Sequence, residues 1–323
     1  MEFRLIIKDC NVMLNKMKKI IIYNFIALLI TTVMMFNGCD SPAPTELVQD
    51  NNSGQNPIQV QVITKDTSDS FYNNGFDTTG VSVSDTSYAS VIYVSGTKIT
   101  YNSLTEKISF AQALFFDRSS PVREQNGRLI GYHTLLPGDI LFNNHSARLA
   151  PYRISYNYMG NHLDTLLGSR YILSSRMLSF LHQFDFNFNS NVNFQIVTAM
   201  GKSVSFDIPT PAEVVGKVKL TGKRENNTLA AELDWNPAYS QKIEIILGVV
   251  PKNQKSPVPI FKIMANDSGK LMIPTKLLNS IPSNKYDKIV FTFVRILAAS
   301  KSINGNDILV SSQSIHSIIL DIP

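Results

Sequence analysis

Between Phe180 and Ile196 apolar and polar residues take turns along the chain. Phe184, Phe186, Phe188, Val192, Phe194 and Ile196 hold one parity, and Asp185, Asn187, Asn189, Asn191, Asn193 and Gln195 hold the other. Side chains alternate across a strand with period two and recur around a helix with period 3.6, so this pattern demands a sheet with one buried face. A typical strand has about five or six residues, so the stretch predicts two strands joined at Asn189-Ser190-Asn191, residue types that tolerate tight turns. The phenylalanines then face a core, with an aromatic platform for sugar edged by asparagine as the functional alternative. Tyr152, Ile154, Tyr156 and Tyr158 alternate in the same way with Arg153, Ser155 and Asn157. Val91 to Val94, Ser95-Gly96-Thr97 and Ile99 to Tyr101 predict a hairpin with Gly96 at its turn. Ile140 to Phe142 is a short buried strand between turns at Gly138-Asp139 and Asn143-Asn144-His145. Ser103 to Leu114 and Asn161 to Met177 are the segments for which short helices are expected.

The amino-terminal region obeys a different logic. Lys16, Lys18 and Lys19 precede an apolar run from Ile20 to Phe36, which ends in Asn37-Gly38-Cys39. A basic segment, an apolar segment and a small residue before a cut site are the features of an export signal, and with the cysteine they resemble a bacterial lipoprotein signal. Phe36 stands where an aliphatic residue is usual. The resemblance implies cleavage before Cys39 and acylation of its thiol, with a retained membrane helix and ordinary cleavage as alternatives. Two or more acyl chains suffice for stable anchoring at about 0.8 kcal/mol per buried methylene. Glu2, Asp9 and Cys10 fit such a signal poorly, and Met13 or Met17 would serve as a start. Without the signal the chain has one thiol, consumed by lipid, so its domains rely on their cores and not on disulfides.

Five of the 30 basic residues and two of the 25 acidic ones precede Cys39, which leaves a net charge of +2 for the remainder. Lys217, Lys219, Lys223 and Arg224 form the densest basic patch, an exposed strand face with no accompanying nucleic-acid motif. Residues 39–80 are dominated by Ser, Thr, Asn, Asp, Gln and Pro, which bury too little to offset the entropy of ordering. They read as a flexible tether, interrupted by one strand at Ile58 to Ile63. Asp66, Asp69, Asp77 and Asp85 match no calcium-loop spacing.

Two folded domains are expected, 81–210 and 211–323, divided at Asp207-Ile208-Pro209-Thr210-Pro211. In the second, Leu229 to Asp234 alternate toward Trp235 and then Pro237; Lys242 to Val250 and Pro259 to Met264 supply further strands; Asp267 to Lys270 make a turn before Leu271 to Ile273. Ile281-Pro282-Ser283-Asn284-Lys285-Tyr286 is similar to a tyrosine corner, one residue short in its spacing. Together these resemble a fibronectin type III domain. The resemblance implies a β-sandwich with Trp235 in its core and carries no activity, since such sandwiches serve as spacers, binders and enzyme accessories.

Chemistry-bearing motifs are missing from the sequence. There is no nucleophile elbow, phosphate loop, zinc-protease helix or paired-cysteine motif. His133, His145, His162, His182 and His316 fall at intervals that match no metal site, and Glu124, Asp139 and Asp164 are candidate carboxylates without a defined pairing. No catalytic residue, metal ligand or cofactor is assigned. Arg118, Arg123 and Arg128, around Ser119-Ser120-Pro121 and Gln125-Asn126-Gly127, mark the most polar loop of the first domain and the expected contact for a glycan or protein partner. The sequence thus reads as an all-β, two-sandwich protein, lipid-anchored at Cys39 in a bacterial envelope, its bulk outside the cytoplasm and the outer membrane or cell surface favoured. Its expected action is binding, adhesion or structural display. The alternatives are an enzyme or enzyme accessory acting on envelope polysaccharide, which would gather acids or histidines in a concave pocket, and an assembly or secretion partner, which would show an uncovered apolar strand edge.

Overall fold

The computed structural model describes residues 59–62, 88–124, 127, 129–158, 161–175, 184–238, 242–252, 257–282, 285–303 and 305–323. The signal, Cys39 and most of the tether lie outside the described residues. Residues Leu47–Pro323 cluster as one compact unit. Seventeen strands and one short helix, α1 (Thr275–Asn279), are present among the described residues, as the prevalence of period-two patterning requires.

The largest sheet has ten strands. Its order is β1 (Gln59–Val62), β14 (Val258–Ala265), β13 (Ile243–Pro251), β16 (Tyr286–Ile303), β17 (Asn306–Asp321), β2 (Ser90–Tyr101), β3 (Leu104–Arg123), β8 (Asn161–Ser174) and β7 (Arg148–Tyr158), with β4 (Leu129–Thr134) also paired to β3. A second sheet runs β10 (Ser203–Pro209), β9 (Asn191–Val197), β5 (Asp139–Phe142) and β6 (His145–Ser146). A third runs β11 (Gly216–Thr221), β12 (Ala230–Trp235) and β15 (Lys270–Ile273). Neighbours in the large sheet are antiparallel except β17 and β2, which run parallel from Ile308 beside Ser90 to Ile319 beside Tyr101.

The two small sheets cover separate stretches of the large one. Phe142, Val192, Phe194, Ile196 and Ile208 from the second sheet pack with Ile92, Val94, Ala111, Ala113, Ile308 and Val310 of the large sheet. Leu233, Trp235, Leu271 and Ile273 from the third pack with Ile245, Leu247, Phe291, Phe293 and Ile318. Ile308, Val310 and Ile318 share one parity of β17, so a single strand lines both cores with the same face. Pro209 ends β10, and residues 210–215 cross from one covering sheet to the other while the large sheet continues beneath.

Several local expectations change. Residues Ser90–Tyr101 form one strand without a turn at Gly96, whose missing side chain has another use: a Cβ there would lie 2.5 Å from Phe186 and 2.7 Å from Phe188. Gly96 is the hollow that seats two rings, and the chain reverses instead at Asn102, with φ of 52°. The two segments expected as helices are strands β3 and β8, because cross-strand pairing overrides their weak local preference. The turn at Asn189 is present, φ 50°, but the residues before it do not pair with β9; β9 pairs with β10 and β5. Phe184 and Phe186 are nonetheless buried, against Phe142 and Phe188 respectively, which corrects the platform alternative for those two rings. The turns flanking β5 occur as expected, with Gly138, Asn143 and Asn144 all at positive φ.

Candidate functional site

The crossing at 210–215 belongs to no ladder, so its backbone groups and those at its two ends need other partners. β17 provides them from alternate positions. Ser312 Oγ donates to the Pro209 carbonyl at 2.5 Å, Ser314 Oγ accepts the Val214 N–H at 2.8 Å, and His316 Nδ1 accepts the Gly216 N–H at 2.8 Å. His316 is 3 % exposed, and its Nε2 lies 2.9 Å from Thr100 Oγ1 on β2. Because Nδ1 accepts, the ring is the neutral tautomer with its proton on Nε2, donating to Thr100. Burial, with the charge of Lys98 nearby, lowers its pKa from 6.5 to about 4. This histidine is occupied at both nitrogens and ties the start of β11 to β17 and β2, while Ser312 ties the end of β10 to the same strand.

A second polar assembly pins the corner beyond β12. Arg295 on β16 meets Asp267, in the turn between β14 and β15, through Nε at 2.8 Å and Nη2 at 2.9 Å. Its Nη1 donates to the Glu213 carbonyl at 2.8 Å, and Nη2 also donates to the Asn236 carbonyl. Trp235 Nε1 donates to the same carboxylate at 2.7 Å. Every group of this cluster is directed at a protein partner, which identifies it as a structural clasp. One signal for it was present in the sequence: Arg295 is the only charged residue between Ile289 and Leu297, and a charge inside such an apolar run requires a buried counter-charge.

The third feature is the edge of β16. β13 accompanies β16 only as far as Glu244 beside Val294, whereas β16 continues to Ile303 against β17. Lys242, the residue before β13, is exposed and outside the ladder. Among the described residues no strand pairs with β16 beyond Val294 on that side. The Ile322 N–H bonds the Asp287 carbonyl at 2.9 Å in line with the β16–β17 register, so odd-numbered residues of β16 bond β17. An antiparallel strand sends successive residues to opposite neighbours. Ile296, Ala298 and Ser300 therefore aim N–H and C=O outward from the sheet.

A groove of about 780 Å³ follows this edge. Val294, Ile296, Leu297, Ala298 and Ala299 form its length, Ile208 and Pro209 one wall, and Met264 and Glu244 the other. Leu297 is 40 % exposed, and all four residues from Leu297 to Ser300 are exposed. Lys242 and Lys301 stand along the groove. The groove carboxylate, Glu244, is matched by Lys262 at 2.8 Å. Lys301 Nζ donates to the Asp207 carbonyl at 3.0 Å and lies 4.3 Å over the Phe206 ring. Ala298, Ala299 and Ser300 keep this edge free of bulky side chains.

The residues singled out in the sequence are distributed elsewhere. Arg118 and Arg123 are exposed on β3, which continues as strand through Arg123 where a loop was expected. Arg123 Nη1 donates to the Gly127 carbonyl at 2.9 Å across the turn toward β4; Arg128 lies outside the described residues. His133 Nδ1 is 3.3 Å from the Leu167 carbonyl, Asp164 is 3.5 Å from Arg153, Asp139 and His145 lie on β5 and β6, and Glu124 is buried at the end of β3. The side chain of His162, and His182 altogether, are outside the described residues. Among the described residues no group of three His, Cys, Asp or Glu is placed to hold a metal ion, and no helix is long and apolar enough to cross a membrane. No protein-family model, curated protein or solved structure matches the chain.

Proposed function

We propose that this chain is a lipid-anchored protein of a bacterial cell envelope that works by binding a protein partner, without catalysis of its own. Lys18-Lys19, the apolar run and Gly38-Cys39 support the anchor: lipid on Cys39 holds the protein at a membrane while residues 39–80 let the folded unit reach away from it. The observation that carries the binding half is the groove beside β16. Its length is aliphatic, its single carboxylate is held by a lysine, and its floor is a strand edge that no described strand covers, a surface suited to contact and poorly suited to acid–base chemistry.

The carboxy-terminal lobe is read as a fibronectin type III-like module. In support, β11, β12 and β15 face β14, β13, β16 and β17, with Trp235 at the end of β12 packed 5.9 Å from Phe293, and Tyr286 opens β16 where a tyrosine corner would stand.

Mass analysis of the mature amino terminus, combined with proteolysis of intact cells, tests this reading. An acylated Cys39 and a protease-accessible folded unit are expected, and Cys39→Ser should release the protein from membranes or leave the precursor uncut. An unacylated amino terminus upstream of Cys39, or a chain that turns over envelope polysaccharide and loses that turnover with a single carboxylate or histidine, would reject it.

A further inference from the structure

We infer that the edge of β16 left uncovered by the described strands receives an extended segment of a partner protein, added as a new strand beside Ile296 to Ser302, and that this segment carries an acidic residue near one or both of its ends. The inference rests on the binding reading and gives that binding a site and a ligand chemistry.

The backbone sets the mode of contact. Ile296, Ala298 and Ser300 offer paired N–H and C=O groups at alternate positions, the pattern that an incoming antiparallel strand completes. Ala298, Ala299 and Ser300 have short side chains that let a second backbone approach. An added strand would lie in line with β13, and its side chains would meet Leu297, Ile208 and Pro209 on one face and Ile296, Val294 and Met264 on the other. Edge strands in other proteins are commonly blunted by lysines, bulges, prolines or inward charges; here Lys242 and Lys301 stand along the edge while Ile296 to Ser300 carry no charge, so a strand able to meet the lysines finds an apolar template for pairing.

Charge selects the occupant. Glu244 is neutralised by Lys262, so Lys242 and Lys301 leave the groove positive. A second copy of this chain would bring its own Lys242 and Lys301 to a groove that already holds two lysines. An acidic segment meets the opposite condition, and like charges directly across a strand pair are disfavoured. The lysines therefore oppose self-association through this edge and favour an acidic strand.

The test uses the full chain in lipid nanodiscs and dye-labelled seven-residue peptides that alternate valine and threonine, capped at both ends by aspartate or by lysine. The aspartate-capped peptide should bind, with the amides of Ile296, Ala298 and Ser300 gaining protection from hydrogen exchange. The lysine-capped peptide should bind about tenfold more weakly, equivalent to 1.4 kcal/mol. Lys242→Glu should erase that preference, and Ala298→Pro, which removes an outward N–H, should abolish binding at an unchanged melting temperature. A peptide N-methylated at alternate residues, unable to donate to the edge, should not bind, which keeps the test decisive even if Ala298→Pro fails to fold. Equal binding of the N-methylated peptide, no binding at millimolar concentration, or a dimer abolished by Ala298→Pro would each overturn the proposal. A partner cross-linked in intact cells equally well with and without Ala298→Pro would overturn the edge while leaving the broader binding function standing.

Discussion

The guanidinium of Arg295 and the carboxylate of Asp267 meet in a two-pronged ion pair, 2.8 and 2.9 Å, with side chains 2 % and 0 % exposed. Asp267 also receives the indole N–H of Trp235 and the backbone N–H of Ala238 at 3.3 Å. One carboxylate thus fixes a strand, a turn and the core tryptophan together.

Removing the carboxylate leaves a buried cation and a buried indole donor without their partner. Asp267→Ala should cost about 3–5 kcal/mol, the range for breaking one side of a buried pair, read by urea denaturation of the full chain. Replacing both partners with apolar residues should recover part of that loss, since the remaining charge disappears. A loss below about 1 kcal/mol for Asp267→Ala would show that the pair is solvated in solution.

His316 predicts a pH dependence with a definite sign. Its pKa is 6.5 in the ordinary state and about 4 when folded, so the unfolded chain takes up the proton first. Its contribution is complete above about pH 6.5, is lost progressively as pH falls toward 4, and is flat below that, amounting to roughly 3 kcal/mol at most. Carboxylates titrate in the lower part of this window too. The measurement is therefore the difference in stability between the natural chain and His316→Gln across pH 4 to 7, which should slope in that window and nowhere above it.

Gly96 predicts a packing defect on enlargement. A methyl group there would collide with Phe186 and Phe188, and overpacking of this kind costs about 1–3 kcal/mol. Gly96→Ala should lower the melting temperature, and the half-buried Phe188, changed to Leu in the same chain, should restore part of it. A Gly96→Ala chain as stable as the original would place the rings elsewhere.

Arg118 and Arg123 sit exposed on β3, and alanine at Arg118, Arg123 and Arg128 should change stability by no more than about 0.5–1 kcal/mol, as exposed substitutions usually do. If this face contacts envelope glycan or cells, attachment of the purified protein should fall in the triple variant while its melting curve is unchanged. Attachment that persists in this variant and falls with Ala298→Pro would assign contact to the β16 edge instead.

The alternating segments made the all-β fold legible, because period two is a local signal. Tyr152, Ile154, Val192, Phe194 and Trp235 are all buried as that signal requires. Partnership was not legible. Nothing near Ser90 in sequence announces Ile308 as its neighbour, and nothing near Ser312, Ser314 and His316 announces that their polar groups are reserved for residues 209–216. Gly96 misled for a related reason: a glycine that turns the chain and a glycine that makes room for a distant ring are the same letter, and only Phe186 and Phe188 decide between them. The β16 edge was hidden because its defining property is the point at which β13 leaves the sheet, a relation between strands about fifty residues apart.

β17, the last of the described strands, lies inside the large sheet, bonded to β16 on one side and to β2 on the other. The first of these contacts is a local hairpin; the second joins Ile308 to Ser90, far apart in sequence, and must wait for most of the loop-closure entropy to be spent. A ribosome that has released everything up to Ile303 has produced neither finished core, since Ile308, Val310 and Ile318 are still to come. Both cores therefore close on the same strand. A lesion in this one strand is thus a lesion in both lobes, because Ile308 and Val310 line one core and Ile318 the other.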